Sequence, residues 1–113
     1  MSEDTEAKLP LLTHLQFLVL DIVRSSQISG KDLRAALAKE GVRKTGPAFY
    51  QLMSRLEESH MLEGWYEQQV VEGQMLKERW YRISGDGVLA FEATENFYRS
   101  RWTGKLVFQG GNV

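Results

Sequence analysis

The residues with the most chemical reach lie between positions 43 and 55. Arg43, Lys44 and Thr45 run into Gly46-Pro47-Ala48-Phe49-Tyr50-Gln51-Leu52-Met53-Ser54-Arg55. Phe49, Leu52, Met53 and Leu56 are spaced three, one and three apart, which is the apolar stripe of a helix. Tyr50, Gln51, Ser54 and Arg55 fall off that stripe. A glutamine can pair with adenine through two hydrogen bonds and an arginine with guanine, while Lys44, Thr45 and Tyr50 suit phosphate oxygens. The bland alternative is a solvated helix face, with Arg55 paired to nearby Glu58.

Other chemistries find little to work with. The chain has no cysteine, so disulfides, thiolate metal sites and cysteine nucleophiles are excluded. His14 and His60 stand alone, without a second ligand at metal spacing, and read as surface or cap residues. No nucleophile has a base beside it, no glycine-rich loop could cradle phosphate, and no acid pair has a reason to be tuned. The expectation is a non-enzyme with no cofactor and no metal.

Composition sets the scale. At 113 residues, with 42% hydrophobic and 26% charged, the chain fits one globular domain with its own core. The acidic start, MSEDTEAK, is unlike a secretory signal, and no apolar run approaches the ~20 residues of a membrane span. A soluble cytoplasmic protein is expected. The net charge of -1 hides a segregation. Residues 24 to 55 hold seven bases against two acids, whereas residues 57 to 95 hold three bases against nine acids. For phosphate binding, the location of charge matters more than its total.

Periodicity then supplies the elements. A flexible tail over residues 1 to 9 precedes a first helix from about Pro10 or Thr13 to Arg24, apolar nearly all round. A second helix spans about Lys31 to Glu40, with Ser29 as N-cap and Gly41 as its stop. The third follows Thr45 as cap, with Pro47 in its first turn, and continues to about Ser59. Two strands, Met61 to Val71 and Met75 to Ile83, flank a Glu72-Gly73-Gln74 turn. Ser84 caps a last helix from about Gly85 to Trp102, and a glycine-containing tail covers residues 103 to 113. Helix, helix, helix, hairpin, helix is the winged helix-turn-helix order: a mostly α fold with a small β-hairpin wing. Residues 10 to 84 would form that domain, and 85 to 102 an extra C-terminal helix.

Three stretches carry a resemblance to a known family. Ile28-Ser29-Gly30-Lys31-Asp32-Leu33 resembles the start of helix two in the PadR-type winged-helix transcriptional regulators. Thr45 to Glu57 resembles their recognition helix, with Phe49-Tyr50 and a closing Arg55-Leu56-Glu57. Arg79-Trp80-Tyr81-Arg82-Ile83-Ser84 resembles their second wing strand running into the last helix. Lys31 stands where the family often has tyrosine, and Gly46-Pro47 reverses the usual order. The resemblance implies a sequence-specific DNA-binding regulator, a repressor, bound to a palindromic operator as a homodimer. In that frame Lys31, Arg43, Lys44, Thr45, Tyr50, Gln51, Ser54 and Arg55 are the DNA-binding candidates. Lys77 and Arg79 share strand parity and join them as backbone contacts, unless they pair across the hairpin with Glu67 or Glu63.

Helical arithmetic also suggests where two copies would meet. On the last helix Leu89, Ala90, Ala93 and Phe97 point one way, and Val88, Phe91, Tyr98 and Trp102 roughly the opposite way. Phe17 and Leu20 likewise sit behind the main face of the first helix. One stripe covers the core and the other needs a partner, which gives a dimer interface of Phe17, Leu20, Val88, Phe91, Tyr98 and Trp102. The alternative is that both stripes are buried within one chain, with Leu106 to Phe108 folding back. The aromatic residues near such a seam could line a pocket for a small aromatic effector. The acidic wing, with no Lys or Arg between Glu67 and Gln74, motivates a different reading: a winged-helix protein-interaction module without DNA binding.

Overall fold

A computed structural model describes the backbone of residues 12–111 and the side chains of residues 12–102. The expected tail over residues 1 to 9 lies outside the described residues. The first helix, α1 (His14–Val23), is capped by Thr13, whose hydroxyl accepts from the Gln16 amide at 3.1 Å. The Gln16 side chain accepts in return from the Thr13 amide at 3.0 Å, so two otherwise orphaned donors are satisfied. A two-residue strand, β1 (Ile28–Ser29), leads directly into α2 (Gly30–Lys39). Ser29 caps α2 by accepting from the Asp32 amide at 3.1 Å, and Gly41 follows its end with φ of 90°. α3 (Gly46–Glu58) starts from Thr45, which accepts from Ala48 N at 3.3 Å.

The wing is β2 (Leu62–Val71) and β3 (Gln74–Ile83), paired antiparallel from Leu62↔Ile83 to Val71↔Gln74. Its turn is two residues long rather than three. Glu72 (φ 52°) and Gly73 (φ 78°) both adopt positive φ, the pattern that lets a tight turn follow the strands' twist, and Gln74 already belongs to β3. The short β1 pairs with β3 through Ile28↔Tyr81 and Ser29↔Trp80, giving the sheet order β1-β3-β2. β1 is an element the sequence reading lacked.

The core gathers Val19, Leu20 and Val23 from α1, Leu33 and Leu37 from α2, and Phe49, Met53 and Leu56 from α3. It is closed by Leu62 and Tyr81 at the base of the wing and by Phe91 of the last helix. That helix, α4 (Gly85–Gly111), begins where the Ser84 hydroxyl accepts from the Gly87 amide at 2.9 Å. It continues to Gly111 instead of stopping at Trp102, so the expected tail over residues 103 to 111 is helical in its backbone.

Two interface expectations are corrected here. Leu20 is fully buried in this chain's own core and Phe91 nearly so. The Phe91 ring stacks on Phe17 at 4.6 Å between centroids, and Arg24 lies over its other side at 4.5 Å. The stripe of α4 that turns inward is therefore Gly87, Phe91 and Thr94, not the Leu89 stripe. Leu89, Tyr98 and Trp102 are left exposed, and Val88 partly so.

Candidate nucleic-acid interface

α3 is held by one face and free on the other. Phe49, Met53 and Leu56 are buried, whereas Gln51, Ser54 and Arg55 are exposed and Tyr50 is 43% exposed. Tyr50 leans back over the start of α2: a Cβ built on Gly30 would lie 2.9 Å from its hydroxyl oxygen. Its ring meets Phe49 edge-on at 4.9 Å. Tyr50 is thus pinned at the mouth between α2 and α3, while Gln51 and Arg55 project freely.

The turn before α3 is organised by a residue the sequence reading counted only as charge. Arg34 of α2 donates from Nε to the Lys44 carbonyl oxygen at 3.0 Å, and its Nη1 would lie 3.6 Å from a Cβ on Gly46. It clamps the chain as it enters α3. An arginine in the middle of an amphipathic helix gives no sign from spacing alone that it will reach ten positions forward.

The ion pairs divide the molecule. Four are formed among the described residues: Arg24–Asp21 (3.0 Å), Arg79–Glu57 (2.6 Å), Arg82–Glu63 (2.6 Å) and Arg99–Glu95 (3.0 Å). None of them uses Lys31, Arg34, Lys39, Arg43, Lys44 or Arg55. The expected alternative for Arg55, a pair with Glu58, is not formed among the described residues. Six of the seven bases between residues 24 and 55 thus form no ion pair among the described residues, the seventh being Arg24, while Arg79, Arg82 and Arg99 of the body are each held by a carboxylate.

On the wing, Lys77 and Arg79 do share a face, with Tyr66 between them. The Lys77 ammonium lies 4.6 Å and the Arg79 guanidinium 4.7 Å from the Tyr66 ring centre. Neither pairs with Glu67 or Glu63. Glu67 accepts from Trp65 Nε1 at 2.9 Å, and Glu63 holds Arg82. Arg79 instead reaches down to Glu57 on the last turn of α3. Burial opposes its charge, but the Glu57 hydrogen bond and negative charge outweigh this and raise its pKa above the usual arginine value. Beside it, burial and then the charge of Glu57 push the Tyr81 hydroxyl up to about 12. Lys77 is exposed and Arg79 engaged, so the two differ in what they can offer a ligand. Further out, Val70, Val71, Met75 and Leu76 make the wing tip apolar and exposed.

No group of three or more His, Cys, Asp or Glu is placed to hold a metal among the described residues. No helix of the described residues is long and apolar enough to cross a membrane. A cleft of about 280 Å³ lies between the start of α1 and α4, lined by Leu12, Thr13, His14, Phe17, Thr94 and Tyr98.

No protein-family model and no curated protein matches the sequence. Solved structures do. A PadR family transcriptional regulator from Eggerthella lenta is 26% identical, with a TM-score of 0.61 over 82% of this chain and 80% of that one. A PadR-like transcriptional regulator from Bacillus cereus is 21% identical, with a TM-score of 0.62 over 84% and 91%. Bacillus subtilis PadR, solved in complex with operator DNA, is 15% identical, with a TM-score of 0.56; 70% of this chain covers 45% of that protein. The chain is similar over most of its length to PadR-family transcriptional regulators, and it has their winged helix-turn-helix fold.

Proposed function

We propose that this protein is a sequence-specific DNA-binding transcriptional regulator. The observation that carries the reading is the polar face made by Gln51, Ser54 and Arg55, with Arg43 and Lys44 in the turn before it, on a helix whose other face is locked into the core. A helix anchored in that way can enter the major groove with its exposed side chains against base edges. Lys31 and Thr45 flank it, at the starts of α2 and α3, where backbone phosphates would lie. Lys77 adds a contact from the wing. Bacillus subtilis PadR, of similar fold and solved in complex with operator DNA, supports DNA as the ligand.

In this reading the protein acts as a homodimer on a palindromic operator and represses transcription in the cytoplasm. Residues 10 to 84 are the DNA-binding unit, and α4 brings two copies together through Val88, Tyr98 and Trp102, with Phe17 at the margin. In the same reading a small aromatic effector would bind in the cleft beside Phe17 and Tyr98. The deciding experiment is a gel shift at low salt with duplex DNA from upstream of the gene. A shift that an unrelated duplex does not compete away supports the reading; no shift on any upstream duplex refutes it.

The wing tip favours one alternative. It carries no Lys or Arg from Gln68 to Leu76, is acidic at Glu67 and Glu72, and exposes four apolar side chains. A protein-interaction module without DNA binding would use it to bind an apolar protein surface. That reading requires no salt-sensitive DNA affinity at all.

A further inference from the structure

Arg79 and Glu57 form the tightest link between the recognition helix and the wing. Both side chains are about three-quarters shielded, at 24% and 23% exposed, and they meet at 2.6 Å. The pair lies over Gly64 of β2, where a Cβ would fall 2.6 Å from Glu57 Oε1 and 2.9 Å from Arg79 Nη2. A larger side chain there would push the ends of both groups aside. Tyr66, opposite Arg79 in the ladder, and Tyr81 flank the guanidinium at 4.7 and 5.9 Å. An ion pair, a vacated strand position and two aromatic walls thus converge on one point, at the hinge between α3 and the hairpin.

We propose that Glu57, Arg79 and Gly64 form a latch that sets the angle of the wing against the recognition helix. Arg79 is thereby a positioning residue for DNA binding and not a phosphate contact. This rests on the regulator reading above. An Arg79 drawn away to a phosphate would release Glu57 and leave its carboxylate unpaired in a largely shielded site, which is unfavourable. A freed wing samples a range of angles, and only part of that range lets α3 and the wing touch one duplex together.

The test is a double-mutant cycle read by two measurements, DNA affinity against salt concentration and hydrogen exchange of the wing amides in the free protein. The latch predicts that Glu57→Gln and Arg79→Gln each weaken binding to the upstream duplex by about tenfold, which is about 1.4 kcal/mol. It also predicts that the double variant is no worse than either single one, and that the salt slope stays at its wild-type value in all three. Gly64→Ala, which leaves both charges in place but pushes their ends aside, gives a smaller loss in the same direction, and Arg79→Lys recovers most of what Arg79→Gln loses. Each weakened variant exchanges its β2 and β3 amides faster while its helices exchange as before.

The latch is overturned if Arg79→Gln flattens the salt slope by about one contact while Glu57→Gln binds as well as wild type. It is equally overturned if wing exchange is unchanged in Glu57→Gln and Arg79→Gln. Failure of the wild-type chain to bind any duplex sinks the regulator reading alone, and the exchange data then decide whether the latch exists.

Discussion

Gln51, Arg55 and Lys44 differ in what their removal should do, because two can reach base edges and one addresses the backbone. Gln51→Ala and Arg55→Ala are expected to lower affinity for the preferred duplex by about 1–3 kcal/mol while leaving random DNA nearly untouched. Lys44→Ala should weaken all duplexes alike and reduce the salt slope by about one. Titrating fluorescence anisotropy on specific and scrambled duplexes separates the two patterns. Tyr81 offers a residue-scale test that needs no DNA. With its folded pKa pushed up to about 12 from the ordinary 10.0, the folded state holds this proton longer than the unfolded chain does. Its contribution to stability is complete below pH 10 and is lost as pH rises through about 12. An ultraviolet titration of the four tyrosines should show one ionising late, and Tyr81→Phe should abolish that late step.

At the scale of elements, caps explain why so much of the fold was legible. Ser29, Thr45 and Ser84 each satisfy a helix-start amide, and each is a residue type that announces the role from sequence. Thr45→Ala should therefore cost about 1 kcal/mol of stability, seen as a lower urea midpoint with an unchanged slope. Phe49→Ala, which empties a fully buried site on the same helix, should cost about 3–5 kcal/mol. What escaped the sequence has physical reasons too. β1 is two residues long, too short for any periodicity to register. Gly104, Gly110 and Gly111 read as breakers, yet α4 runs through the first two and ends at the third. Leu20 and Phe91 lie on helices that are apolar on more than one side, and the angular pattern alone cannot tell which side meets the chain's own core. Glu57 and Arg79 are 22 positions apart, and their meeting depends on a glycine in a third segment. Candidate base-reading residues were legible because they follow from one helix; the latch was not, because it needs three elements in register.

For the molecule as a whole, two surfaces decide behaviour. Six of the seven bases of the head are unpaired among the described residues, and the wing and body are acidic, so nonspecific affinity should be modest and fall steeply with salt. The second surface is the outer side of α4, where Leu89 and Trp102 are each 66% exposed and Tyr98 is 53% exposed. If a second copy covers it, light scattering should report a dimer at micromolar concentration, and Trp102→Glu should give a monomer that loses affinity for a two-half-site duplex. A wild-type monomer would remove the dimer from the proposal and leave the single-site reading of α3 untouched.

The length of the hairpin gives the Gly64 contact its importance. Seven residues separate Gly64 from the end of β2 at Val71, about 23 Å at the rise of an extended strand. The wing is therefore a lever with its fulcrum at the latch, and a tilt of about 10° there sweeps the tip through about 4 Å by the same geometry. A displacement of that size exceeds the span of a hydrogen bond. Small changes beside the fulcrum, on residues that never touch a ligand, should thus be felt most strongly at the far end of the arm.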